Sequence, residues 1–238
     1  MHAKDKAEAS LPRLIPLLER SELLNGMPAA LVRHVALHGV ERRLADKEVL
    51  FLKQDPDDYI GFVLVGRIYT VLYGPDGREL IINGIGPGGA VGETALIEPG
   101  VRGTSAYACG ATSLLMLGRR HMAPLLEEPA FLGRALRLFS TRLRESSSFV
   151  ETVCLHRLES RLARYLLAGL SGDASEAGHA CAALPGNQSI LAAMLNASRP
   201  KLNAQLQSWK RQGLISCQSD RILINDLPRM RRMAALPL

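Results

Sequence analysis

Gln188-Ser189-Ile190-Leu191-Ala192-Ala193-Met194-Leu195-Asn196-Ala197-Ser198-Arg199-Pro200-Lys201-Leu202-Asn203-Ala204-Gln205-Leu206 contains two short amphipathic stretches joined at Asn196-Ala197-Ser198. Ser198 stands where a hydroxyl can cap the second helix, and Pro200 falls in its first turn, where a missing N–H is tolerated. The pattern predicts a helix-turn-helix. Beyond it, residues 214–217 and 221–224 flank Gln218-Ser219-Asp220 as a small hairpin, the wing of a winged helix. Upstream, residues 158–170 read as a further helix, and 169–183 as a Gly/Ser/Ala-rich loop.

Charge follows the same division. The 238 residues carry a net charge of +6 with pI near 9.4. Residues 157–238 hold 11 Lys and Arg against 5 Asp and Glu, while the rest of the chain holds 18 of each. A basic excess confined to one end suits a nucleic-acid-binding module attached to a neutral domain, because phosphate neutralisation needs cations only where the polyanion sits. On charge alone a solvated basic tail does as well. Together with the helix-turn-helix, the charge points to DNA.

Outward from this module lies a long helix after Pro129, with apolar residues at Leu132, Leu136, Phe139, Leu143, Val150 and Val153 and Ser146 in the remaining place. Spacings that alternate four and three make a narrow seam of the two-stranded coiled-coil kind, which implies a homodimer. The alternative is a helix packed on its own domain. Further upstream the period changes to two, with short β-type runs at 49–52, 59–65, 68–73, 79–85, 105–109 and 113–117. Turn signals at Asp55-Pro56-Asp57-Asp58, Gly66, Pro75-Asp76-Gly77 and Gly86-Pro87-Gly88-Gly89 separate them, and such spacing predicts an antiparallel roll, barrel or sandwich. The first forty residues have helical period, with a turn at Asn25-Gly26-Met27-Pro28.

Several function classes are excluded. The four cysteines lie far apart with no CxxC pair, and His34 and His38 at i, i+4 do not make a metal site by themselves. No apolar run approaches a membrane span, so a soluble cytoplasmic protein without membrane contact is expected. No nucleophile with its base, carboxylate pair or metal set suggests an enzyme.

With these parts in order, the chain resembles the bacterial transcription regulators of the Crp/Fnr type from about Leu23 to Leu227. The most specific pieces are Gly92-Glu93-Thr94-Ala95-Leu96 with Arg102 downstream, and Ala197-Ser198-Arg199. The resemblance implies an α+β fold: an N-terminal β-roll of the cyclic-nucleotide-binding jelly-roll type with flanking helices, a long dimerisation helix and a C-terminal winged helix-turn-helix. Residues 1–155 form the effector domain, with the dimerisation helix at about 130–155, and residues 156–238 form the DNA-binding domain.

The segment 88–105 resembles a phosphate-binding cassette for a cyclic nucleotide, with cAMP expected and cGMP or no ligand as alternatives. A short helix starting near Glu93 would aim N–H groups at an anion, Arg102 would supply a charge-assisted fork, and Glu93 would accept a ribose hydroxyl. Gly92, Thr94, Ala95, Gly103 and Thr104 complete the cassette, although Gly103 stands where a small hydroxyl residue is usual. Ser146 and Ser147 fall where the family's cAMP receptor has adenine-contacting hydroxyls, and Arg142 lies one turn earlier.

In the recognition helix Arg199 is expected to read a guanine edge. Lys201 and Gln188 are expected on phosphates, Asn203 or Gln205 at a base, and Ser198 at the helix start. Pro200 and Ala204 replace charged side chains of the cAMP receptor. Expected partners are a pseudo-palindromic double-stranded operator, a second copy of the chain and RNA polymerase. A nucleotide-binding module without DNA, and a regulator with another effector or none, are the competing readings.

Overall fold

The structure is a computed structural model that describes residues 3–170, 180–183, 188–218 and 221–235. The chain divides into two compact units, Met1–Leu72 with Ile82–Arg144 and Tyr73–Ile81 with Glu145–Leu238.

The first unit opens with α1 (Ala3–Leu18) and α2 (Ala29–His38) and continues into β1 (Val40–Leu44), β2 (Val49–Phe51), β3 (Tyr59–Tyr73, as far as Leu72), β4 (Glu79–Ile85, from Ile82), β5 (Ala90–Val91) and β6 (Ser105–Gly118). The sheet runs β1-β6-β3-β4, with β2 paired to β6 and β5 to β3. Two of its strands are longer than the sequence suggests. The runs 59–65 and 68–73 form the single strand β3, and 105–109 and 113–117 form the single strand β6. Gly66 marks a bulge rather than a break: its φ is +84°, and a Cβ there would lie 2.5 Å from Thr112 Oγ1 and 2.6 Å from the Ala111 carbonyl oxygen. Val40, taken from the sequence as the end of a helix, instead starts β1 after Gly39, and pairs with Met116.

Inside the roll, Leu44, Leu50, Phe51, Val63, Ile68, Ile85, Val91 and Leu114 are buried together. A second cluster joins Leu11, Leu14 and Leu18 of α1 and Val32 and Val35 of α2 to Phe62, Leu115 and Leu117. The short α3 (Ala123–Leu126) leads into α4 (Pro129–Leu155). Phe131, Ala135 and Leu138 of α4, at helical spacing, are buried in this second cluster, and Phe139 packs partly against it. Leu132, Leu136, Leu143 and Val150 are exposed along a different face. The expected seam is therefore open at those four positions, while Phe139 belongs partly to the unit's own core.

The second unit contains α5 (Leu158–Ala168), β7 (Ala180–Ala183), α6 (Gln188–Met194), α7 (Arg199–Arg211), β8 (Ile215–Gln218), β9 (Arg221–Ile224) and α8 (Leu227–Ala234). The antiparallel sheet β7-β9-β8 is the wing. The expected hairpin turn at Ser219-Asp220 lies outside the described residues, as does most of the loop read at 169–183. Strand β7 occupies the end of that loop. Arg229, Arg231 and Arg232, part of the C-terminal basic excess, sit on α8, where Asp226 Oδ1 accepts the Arg229 N–H at 2.9 Å and Met230 is fully buried. The core comprises Leu162, Leu166, Leu191, Leu202, Leu206, Trp209, Ile222 and Ile224 among others.

Candidate effector site and DNA-reading helix

β5 ends at a turn that brings the expected cassette residues together. Gly92 has φ +74°, and a Cβ there would lie 2.1 Å from Arg102 Nη1, so glycine is what lets a guanidinium lie against the backbone at this point. The following 3-10 turn, Glu93–Leu96, buries Ala95 and Leu96.

Arg102 is 2% exposed. The rings of Phe51 and Tyr59 pack against its guanidinium, at 4.4 and 4.3 Å from Cζ to the ring centroids. Nη2 donates to the Tyr59 carbonyl oxygen at 2.8 Å, and Nη1 is ion-paired with Asp57, whose side chain is 3% exposed. The Thr94 hydroxyl donates to the other oxygen of Asp57. Backbone bonds join the two loops concerned: Asp57 N to Gly100 O at 3.0 Å, Arg102 N to Asp55 O at 2.8 Å and Gln54 N to Arg102 O at 2.9 Å. Burial pushes the Tyr59 phenol up, against the opposing pull of Arg102 and Arg42.

Glu93 faces α4, with Oε1 3.6 Å from Arg142 Nε. Burial pushes its carboxyl above the usual range, against the lowering effect of its own backbone N–H and of Arg142. Thr104 is half-buried and Gly103 exposed, while the Ser105 hydroxyl accepts the Lys53 N–H at 2.9 Å. Gly92, Glu93, Thr94, Ala95, Arg102 and Arg142 are thus assembled in the first unit. Ser146 and Ser147 belong to the second unit, both exposed on α4.

These residues fit the two ends of a cyclic nucleotide unequally. Glu93 beside Arg142 offers a carboxylate acceptor for a sugar hydroxyl. Arg102 has the charge a phosphate needs, but Asp57 already neutralises it, so a phosphate would have to share the guanidinium with Asp57 or displace it. Sequence reasoning missed Asp57, Phe51 and Tyr59. Asp57 lies in a run read as a turn, and nothing local marks one acidic loop residue as the partner of an arginine 45 positions away.

In the second unit Asn196 has φ +47° and turns the chain between α6 and α7, with Ala197 N bonded to Ala192 O at 2.9 Å. Ser198 occupies the cap position of α7 without a side-chain capping bond; its carbonyl oxygen accepts the Leu202 N–H at 3.0 Å. Arg199, Lys201 and Gln188 are exposed. Gln205 is turned inward, where its amide and the Trp209 indole N–H both donate to Glu159 Oε1 at 3.3 Å. Asn203 is half-buried with its Oδ1 enclosed. Gln207, which the sequence did not single out, is exposed.

Comparison with known proteins gives the same two parts. Residues 41–129 match the cyclic nucleotide-binding domain family, and residues 160–233 match the Crp-like helix-turn-helix domain family. A CRP-like cAMP-activated global transcriptional regulator of Mycobacterium tuberculosis is 25% identical over 187 residues, covering 78% of this chain and 84% of that protein. The chain belongs to the Crp/Fnr family of DNA-binding transcription regulators. Among solved structures, the CRP-family regulator TTHB099 of Thermus thermophilus superposes with a TM-score of 0.65 at 25% identity, over 82% of this regulator and 97% of that chain. The c-di-GMP-responsive regulator CLP of Xanthomonas campestris shares the fold, with a TM-score of 0.71 at 19% identity over 84% of this regulator and 100% of that chain. The regulator is accordingly not an enzyme. Among the described residues no helix is long and apolar enough to cross a membrane.

Proposed function

We propose that this regulator is a cytoplasmic homodimer that binds a pseudo-palindromic operator, and that a cyclic nucleotide, cAMP, held at Gly92, Glu93 and Arg102 controls that binding. The exposed Leu132, Leu136, Leu143 and Val150 on α4 carry the dimer reading, because a second copy of the helix would remove them from water. Dimerisation would set the two α7 helices about 34–36 Å apart, one turn of DNA. The cAMP-activated relative and the cyclic nucleotide-binding domain match support the effector. The sugar would sit at Glu93 and the phosphate at Arg102, with Gly103 and Thr104 at the cassette's end. RNA polymerase is the expected protein partner once the operator is occupied.

One observation favours a second reading. Because Asp57 neutralises Arg102, the cassette can be a folded element that needs no nucleotide, leaving the regulator to bind DNA under another effector or constitutively. Calorimetry with cAMP, cGMP and a cyclic dinucleotide, followed by operator binding with and without each, separates the two. The first reading requires saturable cAMP binding and a change in operator affinity, with operator DNA raising cAMP affinity by the same factor. No heat with any nucleotide and unchanged operator binding would establish the second.

A further inference from the structure

The exposed face of α7 carries apolar groups where base edges are to be read. At about 100° per residue, with Pro200 as origin, Ala204 lies at about 40°, Gln207 at about 340° and Arg211 at about 20°. All four are exposed, and the buried Leu202, Leu206 and Trp209 lie on the opposite side at about 200°, 240° and 180°. The centre of the face turned away from the core is therefore, over its first two turns, Pro200 and Ala204. Arg199 and Lys201 flank it on either side. Asn203 has its amide oxygen enclosed, and the Gln205 amide is committed to Glu159.

We propose that Pro200 and Ala204 read the 5-methyl groups of thymines, so that each operator half-site places thymine beside the guanine taken by Arg199. The inference rests on α7 being the recognition helix, whose N-terminal turns meet base edges in the major groove. The side chains of Pro200 and Ala204 have no donor or acceptor, and the major-groove feature that an apolar side chain distinguishes is the thymine methyl. Their small size also lets the helix backbone approach the base edges closely. Arg199 supplies polar readout at one edge of the stripe, and Gln207 extends the stripe toward the third turn.

Selection from random duplexes with the full-length dimer gives the preferred operator. Each thymine in it is then replaced by uracil, which lacks the methyl, and separately by cytosine and 5-methylcytosine. Uracil at the contacted position should weaken binding about fourfold per half-site, the worth of one buried methyl group. 5-Methylcytosine should bind better than cytosine there. Ala204→Ser, which keeps the helix, and Ala204→Gly should both remove the uracil penalty at the thymine that Ala204 contacts, while keeping the guanine preference. Equal binding of thymine and uracil at every position, or uracil penalties that are unchanged at every position in Ala204→Ser and Ala204→Gly, overturns the inference and leaves the operator reading intact. A protein that selects no sequence overturns the operator reading beneath it.

Discussion

Arg102 and Asp57 form an ion pair enclosed by the protein on every side, with Phe51 and Tyr59 against the guanidinium and the Thr94 hydroxyl on the carboxylate. The pair joins the loop between β2 and β3 to the cassette, so its first consequence is structural. Arg102→Leu leaves a carboxylate buried without its cation, which typically costs about 3–5 kcal/mol. The double variant Asp57→Asn, Arg102→Leu should recover a large part of that loss. Urea unfolding of the native chain, the two single variants and the double variant, read as a double-mutant cycle, tests it; losses that simply add in the double variant would mean that the pair does not stabilise the loop junction.

Glu93 links pH to the stability of the first unit. Its carboxyl is held above the usual range, mainly by burial, so the folded state binds a proton more readily than the unfolded chain does. The stabilisation from that bound proton is fully present below the unfolded carboxylate range and is lost as pH rises through the raised folded value. Glu93→Gln should therefore be more stable than the native chain at neutral pH, with the gap closing in acid. Melting curves between about pH 4.5 and pH 8 would show it, and a gap that widens on acidification would contradict it.

Leu143→Asp and Val150→Asp place a charge at exposed apolar positions of α4, 70% and 57% accessible in the single chain. Each should give a folded monomer with much weaker operator binding. Light scattering decides the first point, and an unchanged dimer mass would remove α4 from the interface.

Arg199→Ala should cost about 1–3 kcal/mol per half-site and relax the preference at one base pair, as loss of a paired guanine contact does. Binding measured on operators varied at each position distinguishes this from a phosphate contact, for which the loss would be uniform across sequences.

Trp209 is fully buried and donates its indole N–H to Glu159. Glu159→Ala leaves that donor unpaired and should destabilise the second unit by about 1–3 kcal/mol while releasing Gln205. Thermal unfolding reads the first effect, and the second appears as altered base preference near Gln205.

Local period and turn chemistry were enough to make the helix-turn-helix, the long helix after Pro129 and most strands of the roll legible in the sequence. Where such signals mislead, the reason is also local. Gly66 looks like a break because glycine accompanies both turns and bulges, and only the pairing of Val65 with Ser113 and of Arg67 with Cys109 on either side of it makes it a bulge within β3. The wing strand β7 was invisible in a small-residue loop because its pairing partner, β9, lies some forty residues downstream.

The cassette residues could be named from the sequence, since Gly92, Glu93 and Arg102 stand within one short segment. Tertiary structure decided what they do to one another: that Arg102 is matched by Asp57, that Glu93 meets Arg142 from α4, and that Gln205 turns to Glu159 while Pro200 and Ala204 face outward. A helix or strand announces itself through residues a few positions apart, because its hydrogen bonds and its buried face repeat along the chain. An ion pair between two loops has no such repeat, and its energy comes from burial that exists only after the roll has closed around it.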